Sequence, residues 1–79
     1  MGEKVLVVDD ELEMRDLLSR FLTEEGYEVI LATNGKEALE LAERENPQVI
    51  LLDIWMPGFS GIETCKRLKE NEKTQFIPV

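Results

Sequence analysis

Two short apolar runs, each closed by an acid, restrict this chain more than any other feature. Val5-Leu6-Val7-Val8 runs into Asp9-Asp10-Glu11, and Val49-Ile50-Leu51-Leu52 runs into Asp53. A run with no polar alternation reads as a strand buried on both faces, the kind found in parallel sheets covered by helices. The acid that ends it stands where the strand reaches the surface and turns into a loop. Two strands ending alike suggest a single acidic pocket shared by their tips.

The rest of the chain alternates these runs with amphipathic segments. Lys4–Val8 reads as the first strand. Met14, Leu17, Leu18, Phe21 and Leu22 recur at helical spacing and form one apolar face, with Gly26 as the stop signal. Residues 27–32 read as a second strand, with Tyr27, Val29 and Leu31 on one side. Asn34 with Glu37 resembles a capping box; the helix it opens carries Ala38, Leu41 and Ala42 and stops near Asn46-Pro47. Residues 49–53 form the third strand. Ser60 with Glu63 makes a second capping box, and Ile62, Cys65 and Leu68 mark the inner face of a third helix. Residues 71–75 read as a polar loop, and Phe76-Ile77-Pro78-Val79 as the beginning of a fourth strand. The order βαβαβα, then a stub, predicts an α/β fold: a parallel sheet, right-handed crossovers and helices on both faces. Ligands of such sheets bind beyond the carboxyl ends of the strands, and Asp9, Asp10 and Asp53 all lie there.

Composition narrows the partners. Seventeen acids against nine bases leave a net charge of −8, which repels phosphate backbones and attracts Mg²⁺ or a basic protein surface. Direct nucleic-acid binding by this segment is not expected. No apolar run approaches the length of a membrane helix, and Met1-Gly2-Glu3-Lys4 lacks the features of a signal peptide. The single cysteine, Cys65, fits a reducing cytoplasm. There is no histidine, so chemistry that needs an imidazole must be supplied by another protein.

Three clustered carboxylates repel one another and call for a cation. Hard oxygen ligands suit Mg²⁺, which takes one or two carboxylates together with water and phosphate oxygens. An Asp beside that ion can attack a phosphoryl group and form an aspartyl phosphate. Asp53 ends the more apolar strand and is the expected nucleophile; Asp9 and Asp10 are the expected metal ligands. Taken singly, Asp10 reads better as only a helix N-cap and Asp53 as only a strand-end loop residue. Three acids ending two strands that should adjoin favour the metal site.

These residues resemble the response-regulator receiver domains of two-component signalling. Residues 5–11 are similar to the family's first strand and acidic pair, and Asp53-Ile54-Trp55-Met56-Pro57-Gly58-Phe59-Ser60-Gly61 to its phosphoacceptor loop, D-x-x-M-P-x-x-x-G. The resemblance implies a flavodoxin-like sheet, here a half-fold with strand order 2-1-3 and the fourth-strand stub. It implies Asp53 as phosphoacceptor and Asp9, Asp10, Asp53 and the main-chain carbonyl of Trp55 around Mg²⁺. It also implies a histidine kinase or phosphotransfer protein as donor, docking on the loop after Asp10 and the first helix, although ordinary core packing explains the Leu and Phe residues there equally well. The Trp55 side chain is open to three readings: a shield over the site, a kinase contact, or plain surface exposure. Met56-Pro57 and Gly61 read as loop geometry, and Cys65 as a small core residue.

The chain departs from the family pattern beyond residue 79. The family's Ser or Thr after strand four and its Lys after strand five have no counterpart, and Lys36 and Lys66 do not stand at matching positions. The chain therefore reads as the N-terminal portion of one receiver domain, a fragment of a longer product, with strand three left as an apolar edge. Such an edge invites pairing with another chain, so self-association is the competing expectation: an oligomerising segment without signalling activity. A small phosphotransfer enzyme fits less well, because Trp55 fills the place where such enzymes carry a second acid.

Overall fold

The computed structural model describes residues 2–56 and 60–79. Six elements follow one another: β1 (Lys4–Val8), α1 (Leu12–Glu24), β2 (Glu28–Ala32), α2 (Gly35–Glu45), β3 (Val49–Leu52) and α3 (Gly61–Glu70). The strands form a parallel sheet ordered β2-β1-β3. Val5 pairs with Val29 on one side and Val49 on the other, and the register continues to Val8 opposite Ala32 and Leu52. The alternating pattern and the strand order expected from the sequence are both present.

Central β1 explains its own composition. Val5, Leu6, Val7 and Val8 are all buried, because both faces and both edges of this strand are covered. Leu6 and Val8 join Ala32, Ala38, Ala42, Ile50, Met56, Leu68 and Ile77 in the main core, beneath α2 and α3. Burying a side chain the size of Leu6 or Ile50 stabilises the fold by about 1.5–3 kcal/mol. Val7 belongs to the other face, under α1, with Met14, Leu18 and Leu51.

Helix ends follow their sequence signals. Tyr27 N–H bonds to Leu22 O and Gly26 N–H to Thr23 O, with Gly26 at φ +95°, so the left-handed turn that closes α1 falls on the residue that tolerates it. That closure commits the Tyr27 N–H, and β2 consequently starts at Glu28 rather than at Tyr27. Asn34 caps α2 through Glu37 N–H at 2.8 Å, but the Glu37 carboxylate reaches back to Thr33 N–H rather than to Asn34. Ser60 caps α3 through Glu63 N–H at 3.2 Å, while the Glu63 carboxylate pairs with Arg67 at 2.9 Å. Across the surface, Lys4 pairs with Glu45 and Lys73 with Glu43. Hydrogen bonds from Lys4 and from Asn71 hold the Glu45 and Glu43 carboxyls, respectively, below their ordinary range.

Four expectations are corrected. The face of α1 is apolar as expected, yet none of its residues is buried; Leu17 and Phe21 are 62% and 60% exposed. The inner face of α3 is Gly61, Thr64 and Leu68, whereas Ile62 is 69% exposed and Cys65 is only half-buried. Thr64 can sit inside because its Oγ1 donates to Ser60 O at 3.0 Å. Residues 76–79 are not a strand: Ile77 is buried and Phe76 is 88% exposed, and Pro78 has no N–H to give a ladder. The Pro78 carbonyl nevertheless accepts from Ile50 N–H at 2.9 Å, a single rung on the open side of β3. Finally, β3 ends at Leu52, although Asp53 N–H still bonds to Val8 O at 3.0 Å.

Candidate functional site

The sheet itself brings the acids together. Beyond the last paired residues, Asp9 N–H bonds to Ala32 O at 3.1 Å and Asp53 N–H to Val8 O at 3.0 Å. Both tips are thus tied to backbone that belongs to the core, and they lie side by side because β1 and β3 are neighbours. Asp9, Asp10 and Asp53 each offer a carboxylate oxygen, and these oxygens all lie within 4.8 Å of one another. Asp9 is buried, Asp53 half-buried and Asp10 exposed, so the cluster opens from the sheet's edge to solvent.

Local bonds fix how two of these carboxylates point. Asp9 Oδ1 accepts from Glu11 N–H at 2.9 Å, and Asp53 Oδ1 accepts from Trp55 N–H at 3.0 Å. Each is a turn in which an Asp side chain bonds backbone two residues on. In each acid one oxygen is committed to a backbone N–H. Glu11, not Asp10, is the N-cap residue of α1, and it makes no side-chain cap. The N-cap reading of Asp10 therefore falls away, and Asp10 stands in the cluster.

Behind Asp53, α3 comes very close. A Cβ at Gly61 would collide with Asp53 O and Ile54 Cα, so only glycine permits this approach. Gly61 N–H also faces Ile54 O at 3.4 Å. Met56, buried in the core, anchors the far side of the described loop. The Trp55 side chain stands 84% exposed. The expected role of Pro57 in shaping this loop lies outside the described residues. Lys66 lines the apolar groove beside β3 with Leu52, Ile54, Ile62 and Cys65.

The cluster suits a hard divalent cation. Its donors are all carboxylate oxygens, two of them are oriented by backbone, and the group reaches solvent on the Asp10 side, where water ligands can complete a shell. One charged neighbour was not anticipated. Arg15 Nη1, from the first turn of α1, donates to the Asp9 main-chain carbonyl at 2.8 Å. Its spacing from Asp9 carries a signal only once the helix start at Leu12 is known.

The profile described as "Response regulator receiver domain" matches residues 5–79. The alkaline phosphatase synthesis transcriptional regulatory protein PhoP of Bacillus subtilis is 47% identical over 72 residues, covering 91% of this chain and 30% of that protein. The crystal structure of the N-terminal domain of a response regulator receiver protein from Methanoculleus marisnigri JR1 superposes with a TM-score of 0.94 at 39% identity, over 96% of this chain and 62% of the other. The response regulator protein TrrA from Thermotoga maritima, crystallised in complex with Mg²⁺ and BeF, gives a TM-score of 0.85 at 45% identity, over 92% of this chain and 63% of the other. The chain thus spans less than a third of the curated relative and less than two thirds of either solved chain.

Proposed function

The chain belongs to the response regulator receiver domain family, and from that premise we propose that it accepts a phosphoryl group on Asp53 in a two-component relay. The observation that carries the reading is the convergence of three carboxylates, from two strand tips, within 4.8 Å. The uncommitted Asp53 oxygen attacks phosphorus, an O–P bond forms, the P–N bond of a phosphohistidine breaks, and the imidazole leaves on the donor protein. The Trp55 N–H holds the other Asp53 oxygen and so fixes which one is presented. Asp9, Asp10, Asp53 and the Trp55 main-chain carbonyl would hold Mg²⁺, which when bound neutralises charge on the transferring group. TrrA, with Mg²⁺ and BeF in its crystals, is the relative that supports this choice of ion.

Such a domain is consumed one phosphoryl at a time, so the protein is a regulatory phosphoacceptor rather than an enzyme with turnover. The donor is a histidine kinase or phosphotransfer protein of the cytoplasm, in keeping with a chain that lacks histidine. Among the described residues, no helix is long and apolar enough to cross a membrane. A net charge of −8 argues against direct contact with nucleic acid. The apolar groove on the open side of β3 supports self-association as a second property of this segment.

The test is treatment with acetyl phosphate, or with beryllofluoride, in the presence of Mg²⁺. The expected result is a gain of one phosphoryl by intact mass, located on Asp53, and a change in Trp55 fluorescence. Asp53→Asn should abolish the modification and weaken Mg²⁺ binding. Unchanged mass and unchanged fluorescence in the unmodified sequence would sink the phosphoacceptor reading.

A further inference from the structure

Arg15 is in an unexpected place for a cation. It lies in the first turns of α1, at the end of a helix where the aligned peptide dipoles disfavour positive charge. Its half-buried side chain turns back over the tip of β1, and Nη1 donates to Asp9 O at 2.8 Å. A guanidinium keeps its charge throughout the working pH range. A permanent positive charge therefore rests on the backbone of Asp9, which itself belongs to the cluster of three carboxylates.

We propose that Arg15 is a resident counter-charge of the acidic cluster and that it sets how tightly the cluster takes a divalent cation. The inference rests on the metal-site reading above. Arg15 is a positioning residue: it holds the β1 tip through the Asp9 carbonyl and touches neither the cation nor the phosphoryl group. Without a cation it stabilises three acids held close together. With a cation, the same charge repels the ion, so affinity is kept lower than the carboxylates alone would give. Binding then responds to changes in ion concentration instead of saturating.

The experiment is calorimetric titration with Mg²⁺ of the unmodified sequence and of Arg15→Gln, Arg15→Lys and Asp53→Asn. Gln keeps a donor for the Asp9 carbonyl and loses the charge; Lys keeps the charge. At low ionic strength Arg15→Gln should bind Mg²⁺ about fivefold more tightly, and the gap should close in ~1 M salt, where charges are screened within ~3 Å. Arg15→Lys should track the unmodified sequence. In thermal melts Arg15→Gln should unfold at lower temperature without Mg²⁺ and gain more from adding it. Equal or weaker binding by Arg15→Gln, or a difference indifferent to salt, overturns the proposal. So does an Arg15→Lys variant that behaves like Arg15→Gln. If the unmodified sequence takes up no Mg²⁺, the metal-site reading falls and this inference with it. If it binds, and Asp53→Asn weakens the binding while Arg15→Gln leaves it unchanged, only the counter-charge is lost.

Discussion

Gly61 shows how little room the site leaves around its central acid. The α3 backbone packs so near Asp53 O and Ile54 Cα that one added methyl group has nowhere to go. Gly61→Ala should cost about 1–3 kcal/mol, as overpacking does in a rigid interior, and should slow phosphoryl uptake by acetyl phosphate. Melting temperature and intact-mass kinetics check the two halves of that expectation; a variant unchanged in both would show that the loop yields freely. At this scale the sequence is most readable where chemistry and burial coincide. Asp9, Asp10 and Asp53 were conspicuous because each follows an uninterrupted apolar run, which has one structural meaning. Arg15 was not, because an Arg among the charges of a helix start looks like solvated surface until the side chain is seen reaching back to Asp9 O. The steric reason for Gly61 was equally hidden, since it depends on an approach between residues eight apart.

Among the elements, β1 is the most thoroughly buried and the helices divide unequally, α1 contributing no buried residue while α2 and α3 contribute several. Ile50, on β3, is fully buried in the main core with Leu6, Val8 and Leu68, whereas Ile62, on α3, looks outward. Ile50→Ala should destabilise by about 2–5 kcal/mol, a large part of the margin of a small domain. Ile62→Ala should change stability by no more than about 0.5 kcal/mol. Urea unfolding of the two variants makes the comparison directly, and similar losses would contradict the assignment of the α3 inner face. Strand and helix order could be read from hydropathy alone, and the α1 stop could be read from Gly26. Which side of α3 is inward could not. Its apolar residues 62, 65 and 68 share one stripe, but the backbone turns Gly61, Thr64 and Leu68 to the core, and Thr64 is admitted only because Ser60 O takes its hydroxyl. The apolar face of α1 was read correctly as a face, but not that it stays open: periodicity reports that a helix wants cover and not how much the sheet provides.

Across the described residues as a whole, apolar surface exceeds the cover available to it. Leu17 and Phe21 are open on one side of the sheet, and Leu52, Ile54, Ile62 and Cys65 line a groove of about 470 Å³ on the other. Exposed apolar area of this kind promotes association, opposed by the repulsion of a net charge of −8. Sedimentation should therefore show mass above that of a monomer, increasing when salt screens the charge. A monodisperse monomer at high salt would count against it. The rung between Ile50 N–H and Pro78 O shapes how such growth can occur. A newcomer wanting that donor must first evict residues 76–79, whose Ile77 is wedged into the interior. Pairing at that edge should therefore depend on how often residues 76–79 let go, and a rate that rises in proportion to protein concentration would contradict this.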